Sequence, residues 1–322
     1  MKFVTYTLDN NSRPRFGYKK DDYIVDVIRS AIWNNENNQD PSFLEIPSTL
    51  KKTLENWDTH FSKLKELDLS LPAMNIQSHS GGGAPIAVLE TDVQLLAPIP
   101  NPQSFRDFYA FEQHVRSARK LRGLEMHPDW FNIAIFYFSN PAALYGHGEG
   151  IPYPKGTEEL DFELEFAVII ANGGSDISSE DADQYIAGYT IFNDGSIRDW
   201  QRHTTQFCPG KNFEGTGPLG PWMMTADEFG DPYAQTITTR LNHETVQHTA
   251  ISAMDHKIDA LIQYISTIHT IRPGDIISTG TPGGVGMHRK PPLWMKAGDV
   301  VSVEITGLGA IRNSVKSESS LG

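Results

Sequence analysis

Residues 161–170 read Asp-Phe-Glu-Leu-Glu-Phe-Ala-Val-Ile-Ile. Phe162, Leu164, Phe166 and Val168 alternate with Glu163, Glu165 and Ala167, the period of two that marks a β-strand. Residues two apart on a strand lie roughly 6–7 Å apart and point the same way. Glu163 and Glu165 are therefore aimed at one region of space. Like charges so placed repel, and each raises the other's pKa unless a cation lies between them. The pattern points to a hard divalent cation, Mg²⁺, Mn²⁺ or Ca²⁺, held by oxygen ligands. An exposed strand face carrying hydrated glutamates has the same pattern, so burial decides between the two.

The surrounding chain has 322 residues, enough for one large or two modest domains. Its 39% hydrophobic and 21% charged residues place it among soluble globular proteins. A formal net charge of −13 argues against nucleic acid or an anionic membrane as a partner. No apolar run approaches the ~20 residues of a membrane span. The opening Met1-Lys2-Phe3-Val4 lacks the apolar stretch of a signal peptide. The single cysteine, Cys208, excludes an intrachain disulfide and fits a reducing compartment, so a cytoplasmic protein is expected.

Strand patterns recur at residues 4–7, 23–27, 187–193, 276–278 and 299–305, and residues 131–138 are apolar and β-prone. Leu50, Leu54, Trp57, Phe61 and Leu64 recur at helical spacing, as do Ile258, Leu261, Ile265 and Ile268 within residues 254–268. Residues 105–120 read as a further helix, rich in aromatic and charged side chains. Ser178 is a candidate N-cap. Strands outnumber helices without a regular βαβ rhythm. The expected fold is α+β, mostly β and mostly antiparallel, with peripheral helices. Gly/Ser-rich residues 78–83 and the proline-bounded run at 93–100 divide a small N-terminal α/β domain, residues 1–95, from a main domain, residues 96–322.

Several further stretches share one resemblance. They are Arg106-Asp107-Phe108-Tyr109 with Gln113-His114, Arg122-Gly123, the Glu163/Glu165 strand, residues 193–199 with Gln201, Gly210-Lys211-Asn212-Phe213, residues 217–221, and residues 279–286. In this order and spacing the sequence resembles the fumarylacetoacetate hydrolase family from about residue 95 onward. The resemblance implies a mixed β-sandwich or β-roll. It implies that Asp107, Glu163, Glu165 and Asp194 bind a divalent cation, Mg²⁺ first, with Mn²⁺ or Ca²⁺ as alternatives. It implies His114 as the catalytic base, Lys211 and Gln201 as groups that stabilise developing negative charge, and Tyr109, Arg122, Tyr137 and Thr281 as substrate contacts.

Chemistry of that kind suits a small keto-acid substrate, an acylpyruvate or β-diketo acid, which chelates the metal through adjacent oxygens. A histidine-activated water then cleaves a C–C bond and leaves an enolate. The same site fits an isomerase, decarboxylase or dehydratase of keto and hydroxy-dienoate acids, and a metal-stabilised protein without catalysis is a further alternative. The resemblance also implies a homodimer. Gly195, which follows Asp194 where the family usually carries a larger residue, is expected to loosen that turn. No glutamate from the C-terminal region can be placed beside His114, and Glu112 is on the wrong face of its helix.

Overall fold

The computed structural model describes residues 1–9 and 12–317. Its strands of three or more residues begin with β1 (Lys2–Thr7), β2 (Arg15–Lys20), β3 (Tyr23–Asp26), β4 (Ala87–Leu89), β5 (Phe105–Phe108), β6 (Phe136–Phe138) and β7 (Leu164–Ile170). They continue with β8 (Ile186–Asn193), β9 (Gly217–Thr225), β10 (Thr236–Leu241), β11 (Glu244–Ala250), β12 (Ile276–Ser278), β13 (Val300–Ile305) and β14 (Gly309–Lys316). The longer helices are α1 (Val27–Asn38), α2 (Trp57–Ser70), α3 (Glu112–Leu121) and α4 (Ile258–Ile268).

One large sheet runs β4-β3-β2-β1-β9-β8-β7-β12-β5-β6. Along this order pairing is antiparallel except between β12 and β5, where Ile276 lies opposite Phe105 and Ser278 opposite Asp107; off it, the short strand Leu144–Tyr145 adds to β9 in parallel. The N-terminal strands join this sheet directly, through Lys2 and Phe3 of β1 opposite Met224 and Met223 of β9. A second sheet, β14-β13-β10-β11, packs on it, with Ile151–Pro152 at its edge.

Strand β7 explains the apolar run of the opening stretch. Phe162, Leu164, Phe166, Val168 and Ile170 enter a core shared with the second sheet and with Ile258, Leu261 and Ile265 of α4. Ala167 and Ile169 face a different core, built from Phe3, Phe16 and the helical residues Leu54, Trp57, Leu64 and Leu67. Both faces of the strand are thus covered. Each fully buried Leu, Ile or Phe contributes about 1.5–3 kcal/mol over the exposed state. The architecture is mostly β with peripheral helices, as the patterning requires.

Four local expectations are revised. Residues 105–108 are strand β5, next to the edge strand of the large sheet, and the helix starts only at Glu112. All four residues of β5 are buried, because neighbouring strands and both cores surround it; its aromatics therefore mark a sheet interior and not a helix face. In residues 131–138, only Phe136–Phe138 is extended. The helix at 254–268 begins at Ile258. The leucine-spaced segment breaks into Leu50–Leu54 and α2, interrupted at Glu55 and Asn56. Ser178 caps the 3₁₀ helix Ser179–Tyr185 through Asp181 N.

Candidate active site

Four adjacent strands, β8-β7-β12-β5, end at one point. Asp107 lies on β5 opposite Ser278 of β12, and Ser278 lies opposite Ala167 of β7. Glu165 is two residues before Ala167 on β7. Asp194 follows the last residue of β8, and its backbone N–H donates to Glu163 O at 2.8 Å. This register brings carboxylate oxygens of Asp107, Glu165 and Asp194 within 4.8 Å of one another. All three side chains are buried, which removes the hydrated strand face as a reading. Glu165 is fixed by Ser278 Oγ and by the backbone N–H of Gly280. Gly280 has φ +83°, and a Cβ there would overlap Phe108 O, so only glycine lets this N–H reach the carboxylate. Tyr137, opposite Asp107 on β6, donates its hydroxyl toward Asp107 Oδ2 at 2.9 Å and Asp194 Oδ2 at 2.7 Å.

Glu163 is buried beside this triad but turned toward cations. Its Oε1 accepts from Arg198 Nη2 at 2.6 Å and its Oε2 from Lys211 Nζ at 2.5 Å. Lys211 also reaches Asp194 Oδ2. Arg198 donates Nε to Asp161 Oδ2 at 2.8 Å and Nη1 to Gln201 Oε1 at 3.1 Å. Asp161 further accepts the backbone N–H groups of Gly286 and Met287. It thereby ties the loop after β12 to the start of the glutamate strand.

His114, on the buried face of α3, places Nε2 3.7 Å from Glu163 Oε1. That is a charge contact too long for a hydrogen bond. Its Nδ1 has no hydrogen-bond partner among the described residues. Tyr109 stands edge-on to its ring at 5.3 Å between centroids, and the His288 ring lies at the same distance. His288 is thus a ring neighbour of His114, and the nearest carboxylate is Glu163. Thr281 is buried one residue beyond Gly280 and accepts from Gln247 Nε2 at 2.9 Å. Arg122 is exposed at the end of α3 and reaches none of the carboxylates directly, although its charge is felt at Tyr109.

The electrostatics follow from burial. Burial raises the Asp107 carboxyl, with Lys211 opposing. Burial and the neighbouring Asp107 and Asp194 carboxylates push Glu165 well above the usual range. Asp194 is pushed well up by burial, against the pull of Lys211. Burial works on Glu163 in the same sense, but Lys211 and Arg198 outweigh it and hold that carboxyl below its ordinary value. Burial pushes the His114 imidazole down to about 3, so its ring is neutral throughout the physiological range. Tyr109 is raised to about 12, first by burial and then by Glu163.

The donor set fits a divalent cation. Asp107, Asp161, Glu163, Glu165 and Asp194 are five buried carboxylates, and Arg198 and Lys211 are the two buried cations that touch them. Three negative charges are left uncompensated, and Asp194 Oδ1 is buried with no partner among the described residues. An all-oxygen, highly charged pocket suits Mg²⁺, Mn²⁺ or Ca²⁺ better than a softer metal.

Sequence reading passed over three members of this assembly. Asp161 stood in the opening stretch and Arg198 in the motif after Asp194, yet their pairing needs the fold. Gln247 carried no signal, since a lone polar residue on a strand is ordinary. The turn at Gly195 is tight and not loose: its N–H donates to Thr216 O at 2.7 Å, and a Cβ there would press on that carbonyl and on the Phe213 ring.

A β-rich fold that gathers buried carboxylates at the ends of adjacent strands, with a neutral histidine alongside, is the arrangement of a metal-dependent enzyme. Residues 103–316 match the family model for the fumarylacetoacetate (FAA) hydrolase C-terminal domain. The chain belongs to the fumarylacetoacetate hydrolase family. It is 32% identical over 326 residues to the mitochondrial oxaloacetate tautomerase fahd2 of Xenopus laevis, covering 98% of this chain and 90% of that one. Among solved structures it resembles the fumarylacetoacetate hydrolase of Exiguobacterium antarcticum, at 27% identity and a TM-score of 0.75 over 99% of this chain and 100% of that chain. The fold is also that of a maleylpyruvate hydrolase from Sphingobium sp. SYK-6, solved with manganese(II) and pyruvate, at 21% identity and a TM-score of 0.71 over 98% of this chain and 99% of that chain.

Proposed function

We propose that this protein is a metal-dependent tautomerase of a small 2-oxo dicarboxylic acid of the oxaloacetate type, moving a proton between carbon and oxygen without breaking a C–C bond. The likeness to an oxaloacetate tautomerase along nearly the whole chain supports this over hydrolysis. The geometry around His114 carries the reading. In hydrolases the base that activates water is typically oriented by a hydrogen-bonded third group. Here the nearest carboxylate of Glu163 is 3.7 Å away and committed to Arg198 and Lys211. Enolisation asks less: one neutral base, and a site that tolerates the enolate.

Asp107, Glu165 and Asp194 would hold the cation, and Mn²⁺ in a relative of the same fold is consistent with that choice. When bound, the cation supplies Lewis acidity that makes the C–H next to the keto group easier to ionise. His114 takes the proton from that carbon and delivers it to the enolate oxygen, and the reverse path runs the same transfers backwards. The imidazolium so formed faces Glu163 Oε1. Lys211, which reaches Glu163 and Asp194, and Gln201, whose Oε1 accepts from Arg198 and whose NH₂ remains a donor, would offer N–H groups to developing negative charge.

A homodimer belongs to the same proposal. Phe138 on the sheet-edge strand β6, Ile135 and Phe131 just before it, and Leu121 and Leu124 at the end of α3 are exposed. Such a strip beside an unpaired edge is what a second copy covers, and light scattering that returns a monomer mass overturns it.

The deciding assay follows enol oxaloacetate by its ultraviolet absorbance, with Mg²⁺ or Mn²⁺ present, while pyruvate release is measured on the same sample. Enol–keto exchange above the buffer rate with no pyruvate formed is the expected result. Cleavage of an acylpyruvate by the same preparation, without tautomerisation, would replace this reading with hydrolysis.

A further inference from the structure

Gln247 stands on β11, in the second sheet, and is buried to 2% exposure. Its amide could in principle be read in either orientation. Two partners decide it. One end accepts from the backbone N–H of Leu164 at 3.2 Å, a group that can only donate. The other end lies 3.2 Å from the carbonyl of Pro282, a group that can only accept. The oxygen therefore faces Leu164, where it also receives Thr239 Oγ1 at 2.9 Å, and the NH₂ faces the loop after β12.

The same NH₂ lies 2.9 Å from Thr281 Oγ1. Because the amide is a fixed donor at that end, Thr281 must accept. A hydroxyl carries a single proton. No acceptor among the described residues takes it, which leaves the Thr281 proton available. Its position is bracketed on both sides. Gly280, one residue before, donates to Glu165, and Gly283, two residues after, lies against the side chain of Gln113, the neighbour of His114. Thr281 is therefore held one residue from the backbone N–H that fixes Glu165, on a loop packed against α3.

We infer that Gln247 is a positioning residue that makes Thr281 an obligate hydrogen-bond donor to the carboxylate of the bound 2-oxo acid. The inference rests on the tautomerase reading of the site and specifies the direction of one hydrogen bond in it. It also gives the second sheet a part in recognition, since Gln247 links the strand bearing Glu163 and Glu165 to the loop bearing Thr281.

A double-mutant cycle on the full chain tests it, using Thr281→Val, Gln247→Met and the two combined. The probe is oxalate with Mn²⁺, titrated by calorimetry, alongside KM and kcat for oxaloacetate. Thr281→Val is expected to weaken oxalate roughly tenfold or more, the scale of one hydrogen bond to a charged group. KM should rise more than kcat falls, because a carboxylate contact present in both ground and transition states acts on binding. Gln247→Met should cause a comparable loss, and adding Thr281→Val to it should cost little further. Thr281→Ser should retain oxalate binding. Independent, multiplying losses in the cycle overturn the inference while leaving the tautomerase reading intact. Failure of the native protein to bind oxalate with Mn²⁺ or to turn over oxaloacetate overturns both. If Gln247→Met does not fold, the comparison of Thr281→Val with Thr281→Ser still decides: equal binding by both overturns the donor role.

Discussion

The uncompensated charge at the triad makes a prediction whose sign changes with the cation. Glu165→Gln keeps an oxygen for Ser278 and Gly280 and removes one negative charge. The three carboxylates lie within 4.8 Å of one another. At an effective dielectric constant of 20, each pair at that distance repels by roughly 3–4 kcal/mol. The substitution removes two of the three pairs. Without metal the native site relieves part of this by binding protons, as the raised carboxyls of Asp107, Glu165 and Asp194 require. The expected gain is therefore a fraction of the Coulomb sum, about 1–3 kcal/mol, or about 2 °C in melting temperature per kcal/mol for a chain of this size.

The pH dependence follows with a definite sign. A carboxyl raised in the folded state binds more protons there than in the unfolded chain, so it favours folding at low pH and loses that contribution as pH rises through its folded pKa. The EDTA-treated native protein should thus melt at falling temperature from mildly acid to mildly alkaline pH, and Glu165→Gln should reduce that slope. With Mn²⁺ or Mg²⁺ the order reverses. The native protein gains stability by ligand binding, and the variant, short of one ligand, gains less. Thermal melts of both proteins, with chelator and with millimolar metal across pH, measure all of this. If Glu165→Gln lowers the melting temperature of the chelated protein as much as that of the metal-loaded one, repulsion within the triad is not what the site stores.

Asp161→Asn weakens the hold on Arg198 and on the loop at Gly286, and should cost about 1–3 kcal/mol of stability, read by urea denaturation. His114→Gln should abolish enol–keto exchange while metal-induced stabilisation survives. It should also flatten the acid side of the stability curve, because native His114, at about 3, resists the proton that the unfolded chain accepts on acidification below about 6.5. Gly280→Ala forces a left-handed residue against Phe108 O and should lower stability by about 1–3 kcal/mol, with weakened metal binding by calorimetry.

Much of this was legible in one dimension. The alternation at 161–170 identified a strand and aimed two carboxylates, and the amphipathic spacing through Ile258, Leu261 and Ile265 identified α4. Residues 105–108 misled because aromatic and charged side chains together resemble an amphipathic helix. Their burial comes from β12 alongside and from cores above and below, none of which is local. The same limit applies to Glu163 and Glu165, identical in type and two residues apart. One joins a cluster with Asp107 and Asp194; the other pairs with Arg198 and Lys211.

The sequence by itself determined the donor chemistry: acidic oxygens on a strand, a histidine and a lysine in reach of the same family pattern, and a mostly β chain to carry them. Tertiary structure decided which oxygens meet, because strand order and register bring residues 107, 165 and 194 together from distant parts of the chain. It also decided protonation, since burial keeps His114 neutral, and hydrogen-bond direction, since the obligate partners of Gln247 lie on two other strands and a loop. Periodicity is a property of neighbours along the chain. Charge compensation and donor direction are properties of neighbours in space.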